Sequence, residues 1–200
     1  STLNEEKRIE RVIRNFKPFG KVMIVDNHSA DKTVAIAKSY GCDVFMNKNP
    51  GWPEDEATMQ RVMAAITTEW VYWGYADELV DQSTLNKLKP LIEDSNYDII
   101  SMVRKNYYYG KFCHNAFADR LNRVFKVGAI DFAGNKIHDF GRPVVPQNRI
   151  FQLSHKYHVH QFIAYNSSSY LKVMDKYTDI QAPRESKYRG LVMLLLQSTK

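Results

Sequence analysis

The sequence predicts an α/β domain with a mostly parallel central sheet and helices on both faces. Three observations carry that expectation. Short apolar runs alternate with segments whose apolar residues recur at helical spacing. Gly, Pro, Asn and Asp punctuate the junctions between them. Acidic clusters stand just past two of the runs, at 26–31 and 77–78, where a parallel sheet exposes its carboxyl edge.

Taken in order, Asn4 can cap a first helix carrying Ile9, Val12, Ile13 and Phe16 on one face. Residues 21–25 read as a buried strand closed by Asp26. A second helix begins near Ser29, presents Thr33, Ile36, Ala37 and Tyr40, and stops at Gly41. Residues 43–46 form a short strand, and 47–53 an Asn-, Pro- and Gly-rich loop. Met59, Val62, Met63 and Ile66 mark a third helix. Residues 70–75 are a strand. Ser83 can cap a helix with Leu85, Leu88 and Ile92, and 97–103 is a further strand.

The second half is less regular. Residues 107–110, 120–126 and 149–153 read as short strands with long connections. Helices are expected over 167–180 and 185–200. A 200-residue chain suits one core and one domain. A doubly wound sheet normally opens on a strand, whereas here a helix begins almost at once. An apolar finish follows at 191–196. Both features suggest a portion of a longer polypeptide with further domains.

The bulk properties narrow the partners. No apolar run approaches the roughly 20 residues of a membrane helix, and no secretory leader is visible. Cys42 and Cys113 show neither metal-ligand spacing nor a disulfide framework, which points to a reducing, cytoplasmic setting. The formal charge of +6 suits an anionic ligand such as a nucleotide diphosphate, or peripheral contact with the cytosolic face of a membrane. It equally suits a surface kept soluble. No compact Lys/Arg run or nucleic-acid motif supports a nucleic-acid partner.

Three polar clusters carry candidate chemistry: residues 2–5, 26–31 and 77–78. In a parallel sheet, strand ends about fifty residues apart converge on one edge. Asp26 there can accept a hydrogen bond from the ring N–H of a uracil-type base. Ser29 and the helix behind it favour anionic groups. Asp77 can hold a divalent cation that bridges a diphosphate. The alternative is that Asp26, Ser29 and Asn4 only cap helices, and that Asp77 and Glu78 are a solvated turn. His155, His158 and His160 read as lying in an extended segment, with His158 and His160 on one side. They read as strand histidines, as a metal site of their own, or, for His160, as an added ligand for the cation at Asp77. The tyrosines at 107–109 read as packing residues or as an acceptor-sugar platform.

The runs TLNEEKRIERVIRNF, VMIVDNHSADKTVAIAKSYGCDVF and EWVYWGYADELVD resemble the nucleotide-binding half of family 2 glycosyltransferases of the GT-A fold. The likeness covers residues 1–80, in order and with the expected spacings. It matches the family's T-x-N-E, D-x-x-S-x-D-x-T and D-A-D-E segments. The second half resembles a subgroup that includes enzymes adding sugars to bacterial lipopolysaccharide cores. Arg120 and Arg123 stand for R-L-x-R, His138 and Asp139 for V-H-E, and His160 precedes a helix ending at Lys176, Tyr177 and Thr178. The chain departs from the pattern at Tyr75, where the first Asp of D-A-D stands. It also departs at Met59 and Gln60, in place of R-N, and at Asp139, in place of Glu.

The resemblance implies an inverting, metal-dependent transferase that moves a sugar from a nucleotide-sugar donor, expected to be UDP-linked, to a glycan or lipid-linked acceptor. Residues 1–80 would form the nucleotide-binding half and 81–200 the acceptor half. Thr2, Asn4, Glu5, Asp26, Asn27, Ser29, Ala76 and Asp77 would contact the nucleotide. Asp77 and His160 would hold Mn2+ or Mg2+. Asp139 would be the base that takes the acceptor proton, with Asp131 the second candidate and Phe132 and Phe140 desolvating Asp139. The other readings are a binding module of the same fold that has lost its metal site, and a sugar-phosphate nucleotidyltransferase. The latter is disfavoured because no Gly-rich phosphate loop followed by Arg or Lys opens the chain.

Overall fold

The computed structural model describes residues 1–94, 96–113, 119–136, 139–164, 166–168, 170–171 and 174–175. The predicted helix over 185–200, most of that over 167–180, and His138 lie outside the described residues.

The first layer is built from α1 (Ile9–Phe16), β1 (Met23–Asp26), α2 (Thr33–Ser39) and β2 (Asp43–Met46), with β1 and β2 parallel. Asn4 does not cap α1. It sits at φ 55°, four residues before the helix, and bridges two loops instead. α2 starts later than the spacing near Ser29 suggests, because Asp31 receives the Thr33 N–H at 2.9 Å and sets the first turn there. Gly41, at φ 67°, ends it: its N–H meets the Lys38 carbonyl, and Cys42 N–H the Ala37 carbonyl. Ile9, Ile13, Ile24, Ala37 and Cys42 make a small core between these elements.

The main sheet holds β3 (Trp70–Tyr72), β4 (Glu78–Val80), β5 (Ile99–Tyr108), β6 (Lys111–Phe112), β7 (Arg120–Lys126), β10 (Ile150–Gln152) and β11 (His158–Ala164). Its main path runs β3, β7, β5, β11, β4. β10 and β11 pair in parallel with β5, whereas β7 is antiparallel to both β3 and β5, and β4 is antiparallel to β11. The expected strands at 97–103 and 107–110 are one long strand, β5, which turns at Tyr109 and Gly110 into β6. A short pair, β8 (Ile130–Asp131) with β9 (Arg142–Pro143), closes the loop between them. Gly141 there has φ 60°, and a Cβ on it would lie 2.5 Å from Ile130 Cγ2, so the position admits little but glycine.

Alternation along β5 and β7 sends side chains to both faces. Ile99 and Phe125 face α3 (Glu56–Ala65), packing with Met59 and Val62. Ile100, Met102 and Val124 face α4 (Gln82–Glu93), packing with Leu85, Leu88 and Leu91. The predicted cap at Ser83 is displaced: Asp81 holds the N-cap position of α4. α3 is capped by Asp55, whose side chain accepts the Thr58 N–H. Phe125 is buried and meets Phe132 and Phe140 at ring separations of 6.3 and 6.0 Å. Truncating it empties the centre of the α3-side core. Phe125→Ala is expected to cost about 3–5 kcal/mol in a urea titration. A loss under about 1 kcal/mol would show that this core collapses around the gap.

Candidate active site

The ends of β1 and β2 carry the loops that the sequence marks as nucleotide-facing. Thr2 forms a parallel bridge with Asp26, so the opening segment runs alongside β1. Asp26 is fully buried and accepts from Thr2 Oγ1 at 3.0 Å, Ser29 N at 2.8 Å and Ser29 Oγ at 2.6 Å. In this arrangement the side chain that the sequence expects to meet a base N–H is closed to solvent. The carboxylate is enclosed, and its acceptors serve the loop. Asn4 N–H donates to Ser29 Oγ, and Asn4 Oδ1 accepts from Ala30 N–H. Glu5 N–H reaches Thr33 Oγ1 at 2.7 Å, and the Glu5 carboxylate takes Arg8 in a two-point pair. Glu6 N–H reaches Asp31 at 3.0 Å. Asn27 exchanges two amide bonds with Asn49. Residues 2–6 and 26–33 thus form one stitched edge. Asn4 and His28, both at positive φ, are exposed on it.

Asp77 lies at the end of a buried turn. Ala76 is buried, whereas Asp77 is half-buried. Gln161 Nε2 donates to Asp77 Oδ2 at 3.0 Å, and Phe162 N–H to the Asp77 carbonyl at 2.8 Å. Next to it, Glu78 and Arg123 form a closed ion pair at 2.5 Å, with side-chain exposures of 0% and 2%. Burial pushes the Glu78 carboxyl up to about 7, against the pull of Arg123. Burial also opposes the Arg123 charge, but Glu78 and the nearby tyrosines outweigh it and hold the guanidinium protonated. Tyr75, the residue standing where the resemblance expects an acid, lies under Arg123 at 4.7 Å and bonds to the Glu54 carboxylate. Trp73 Nε1 donates to the same oxygen at 3.1 Å. Tyr75 is thus a packing and hydrogen-bonding residue, not a cation ligand.

The acceptor-side candidates sit on the β8–β9 loop. Asp139 is exposed. Phe132 and Phe140 do not desolvate it as expected, because their rings turn into the core onto Phe125 and each other. Asn135 organises the loop, donating to the Glu54 and Asp139 carbonyls and accepting from Gly141 N–H. Through Glu54, this loop shares an anchor with Tyr75, two residues before Asp77. The Ala133 N–H, with Arg142 adding to it, holds the Asp131 carboxyl below the usual range. His160 Nε2 faces Asp81 Oδ2 at 3.0 Å, and its Nδ1 faces the Tyr107 hydroxyl at 2.8 Å. The structure thus brings Gln161 to Asp77 and His160 to Asp81. His158 stands beside His160, its ring centroid 4.5 Å away. Burial, then His160 and Lys105, pull His158 below the usual imidazole range.

The family model for glycosyl transferase family 2 matches residues 1–142. The chain belongs to that family. It is 27% identical over 139 residues to the SPbeta prophage-derived glycosyltransferase SunS of Bacillus subtilis, covering 68% of this chain and 32% of that protein. It is 32% identical over 98 residues to an uncharacterized glycosyltransferase of Rickettsia typhi, covering 48% of this chain and 32% of that one. The chain thus spans about a third of the length of these relatives. Among solved structures it is similar to S. aureus TarS, with a TM-score of 0.57 at 16% identity over 86% of this chain and 37% of that one. Against TarS 1-349 in complex with UDP, the TM-score is 0.56 at 15% identity, over 88% and 62%. The fold is GT-A. Among the described residues, no helix is long and apolar enough to cross a membrane.

Glu54, Asn135 and Asp81 were not singled out from the sequence. Glu54 and Asn135 sit in loops without periodicity, and their roles come from distant partners. Asp81 is two residues from Ser83 and shows only as a better N-cap.

The Glu78–Arg123 pair makes two outcomes checkable. Arg123→Met leaves a buried carboxylate without its partner and should cost about 3–5 kcal/mol, with part recovered in Glu78→Met/Arg123→Met. The pH dependence follows from the raised pKa. Folding lifts Glu78 from 4.5 to about 7, so the folded state binds that proton more tightly. Its contribution is complete below about pH 4.5 and is lost as pH rises towards about 7. Urea titrations across that window should show a declining term in the wild type that Glu78→Gln removes. An identical slope in both proteins would contradict the assignment.

Proposed function

We propose that this chain is the donor-binding part of an inverting glycosyltransferase that uses a nucleotide-sugar, UDP-linked by expectation, with a glycan or lipid-linked hydroxyl as acceptor. The observation that supports it most is the stitched edge of residues 2–6 and 26–33 lying along the strand ends with Asp77. That edge offers the base and ribose the exposed Asn4 and the half-buried Glu5 and Asn27, held in place by their bonds to neighbouring loops. Asp26 acts from behind as the group that holds Thr2 and Ser29. One fold neighbour, S. aureus TarS 1-349, is described in complex with UDP and in complex with UDP-GlcNAc, which is the donor class this edge suits.

A divalent cation, Mn2+ or Mg2+, fits at Asp77 only as a shared ligand. Gln161 engages Oδ2, while Oδ1 shows no protein hydrogen bond among the described residues. One carboxylate oxygen is a poor cage for a hard cation, so diphosphate oxygens and water would complete the shell. When bound, the cation would supply charge neutralisation to the leaving diphosphate. Gln161 orients the carboxylate. Asp139 takes the acceptor proton as the acceptor oxygen bonds to the anomeric carbon and the bond to the diphosphate oxygen breaks. Its exposure and the loop's anchoring to Glu54 support that role. A second reading, a non-catalytic nucleotide- or glycan-binding module, is favoured by Tyr75, which removes one acid from the expected pair.

Two variants separate these readings. Asp139→Asn should lower transfer by about 10²–10⁴-fold while leaving UDP affinity within about twofold. Turnover within a few-fold of wild type would exclude Asp139 as the base. Asp77→Asn should abolish the gain in UDP affinity on adding Mn2+, measured by calorimetry. If UDP binds the wild type equally well with chelator present, the cation role fails. If no donor then supports transfer, the binding-module reading replaces the enzyme.

A further inference from the structure

The start of β11 and the start of α4 bring together three side chains that the proposed reaction does not use. In the antiparallel β4–β11 ladder, Val159 pairs with Val80 and His160 with Leu79. The same register sets His158 opposite Asp81, and His160, two residues on, shares its face. One ligand atom from each of Asp81, His158 and His160 lies within 4.8 Å of the others. Asp77 meets Gln161, which by strand alternation belongs to the opposite face.

Three further features mark this as more than a chance meeting. Asp81 occupies the N-cap position of α4, yet its carboxylate makes no cap hydrogen bond and reaches His160 instead. His158 Nδ1 is engaged by the Lys156 carbonyl at 3.2 Å. A carbonyl only accepts, so Nδ1 carries the proton and Nε2 carries the lone pair. His160 Nδ1 is engaged by Tyr107 at 2.8 Å, leaving Nε2 on the Asp81 side. Both rings are therefore held by the nitrogen remote from the cluster, as in histidines that ligate metals. Asp81, His160 and Tyr107 also line an open cleft of 410 Å³, with Asn15, Gln82 and Phe162 on its walls. A small ion and its remaining ligand have a route in.

We propose that Asp81, His158 and His160 form a second cation site, for a borderline divalent transition ion of the Zn2+ type, separate from the diphosphate-linked cation at Asp77. Two imidazoles and one carboxylate suit Zn2+ and its neighbours and do not suit Mg2+, which demands oxygen ligands. Ligand atoms on a tetrahedral ion with bonds of about 2.1 Å stand about 3.4 Å apart, so small side-chain rotations close the group. On binding, His160 exchanges tautomer through solvent: Nε2 releases its proton to water and gives its lone pair to the ion, while Nδ1 takes up a proton from water and donates it to the Tyr107 hydroxyl oxygen. Three protein ligands leave a fourth position towards the cleft. The ion clips β11 to the first turn of α4 and needs no nucleotide.

Calorimetric titration of the metal-stripped full chain with ZnCl2, in the absence of nucleotide, tests this. The expected result is one equivalent bound by the wild type and by Asp77→Asn with the same affinity. Asp81→Ala and His160→Ala should weaken binding at least about 10-fold, since even partners that only support a ligand cost about 10–100-fold. Tyr107→Phe should weaken it less than His160→Ala. His158 is buried, so its role is read with Co2+ and a fold check: visible d–d bands in the wild type that His158→Gln loses while its urea midpoint is unchanged. Failure of the wild type to take up Zn2+, or equal Zn2+ affinity in wild type, Asp81→Ala and His160→Ala, would overturn the proposal. A site lost in Asp77→Asn would assign the ion to the donor site instead. None of these outcomes depends on transferase activity.

Discussion

The buried pair of Arg123 and Glu78 is the constraint on which the rest of the site depends. A guanidinium and a carboxylate closed to solvent are costly unless each satisfies the other and further groups complete the shell. Here part of the shell is assembled from across the chain, while Glu78 Oε2 and Arg123 Nε stay without a hydrogen-bond partner among the described residues. Arg123 reaches the Trp73 carbonyl and lies against the rings of Tyr75 and Phe140. Glu54 receives Trp73 and Tyr75 from the other side. Strand β7, the segment 73–78 and the loop at Glu54 are therefore locked at one point. Asp77 projects from the middle of that locked segment.

The nucleotide-facing edge follows a different physics. It uses neutral and charge-assisted hydrogen bonds between short side chains and main-chain N–H groups, with Asp26 as the buried hub. Such a hub fixes the shape of the surface above it by holding Thr2 and Ser29 in place. The β8–β9 loop is joined to the segment 73–78 through Glu54, whose carbonyl takes Asn135 and whose carboxylate takes Tyr75. The replacement at Tyr75 therefore trades a ligand position for a mechanical link between the two halves.

The first half of the fold was legible because each element there carries a local signal. The helical spacing of Ile9, Val12 and Ile13, the stop at Gly41, and the apolar runs of β1 and β3 need no distant partner to be read. The starts of helices were less legible. Asn4, Ser29 and Ser83 all have capping chemistry, but Lys32 and Asp81 hold the N-cap positions of α2 and α4, with Asp31 bonding the first turn of α2, because φ and ψ there depend on how the chain enters from the sheet. The long strand β5 read as two because the residues between its halves are polar. They are tolerated since β11 pairs alongside them.

The sequence by itself determined the α/β class, the order of the early elements and the family, because these rest on periodicity, turn chemistry and motif spacing along a continuous stretch. It also showed that His158 and His160 share a face, since alternation in a strand is a local property. Only the tertiary structure decided what each acid meets. Asp26 turned inward to Thr2 and Ser29, Asp77 met Gln161, and Asp81 met His160. Phe132 and Phe140 went to the core and left Asp139 in water. The meetings of Asp26 with Thr2, Asp81 with His160 and Asp77 with Gln161 are set by strand register and packing between residues 24 to 84 positions apart, and no local pattern encodes that register.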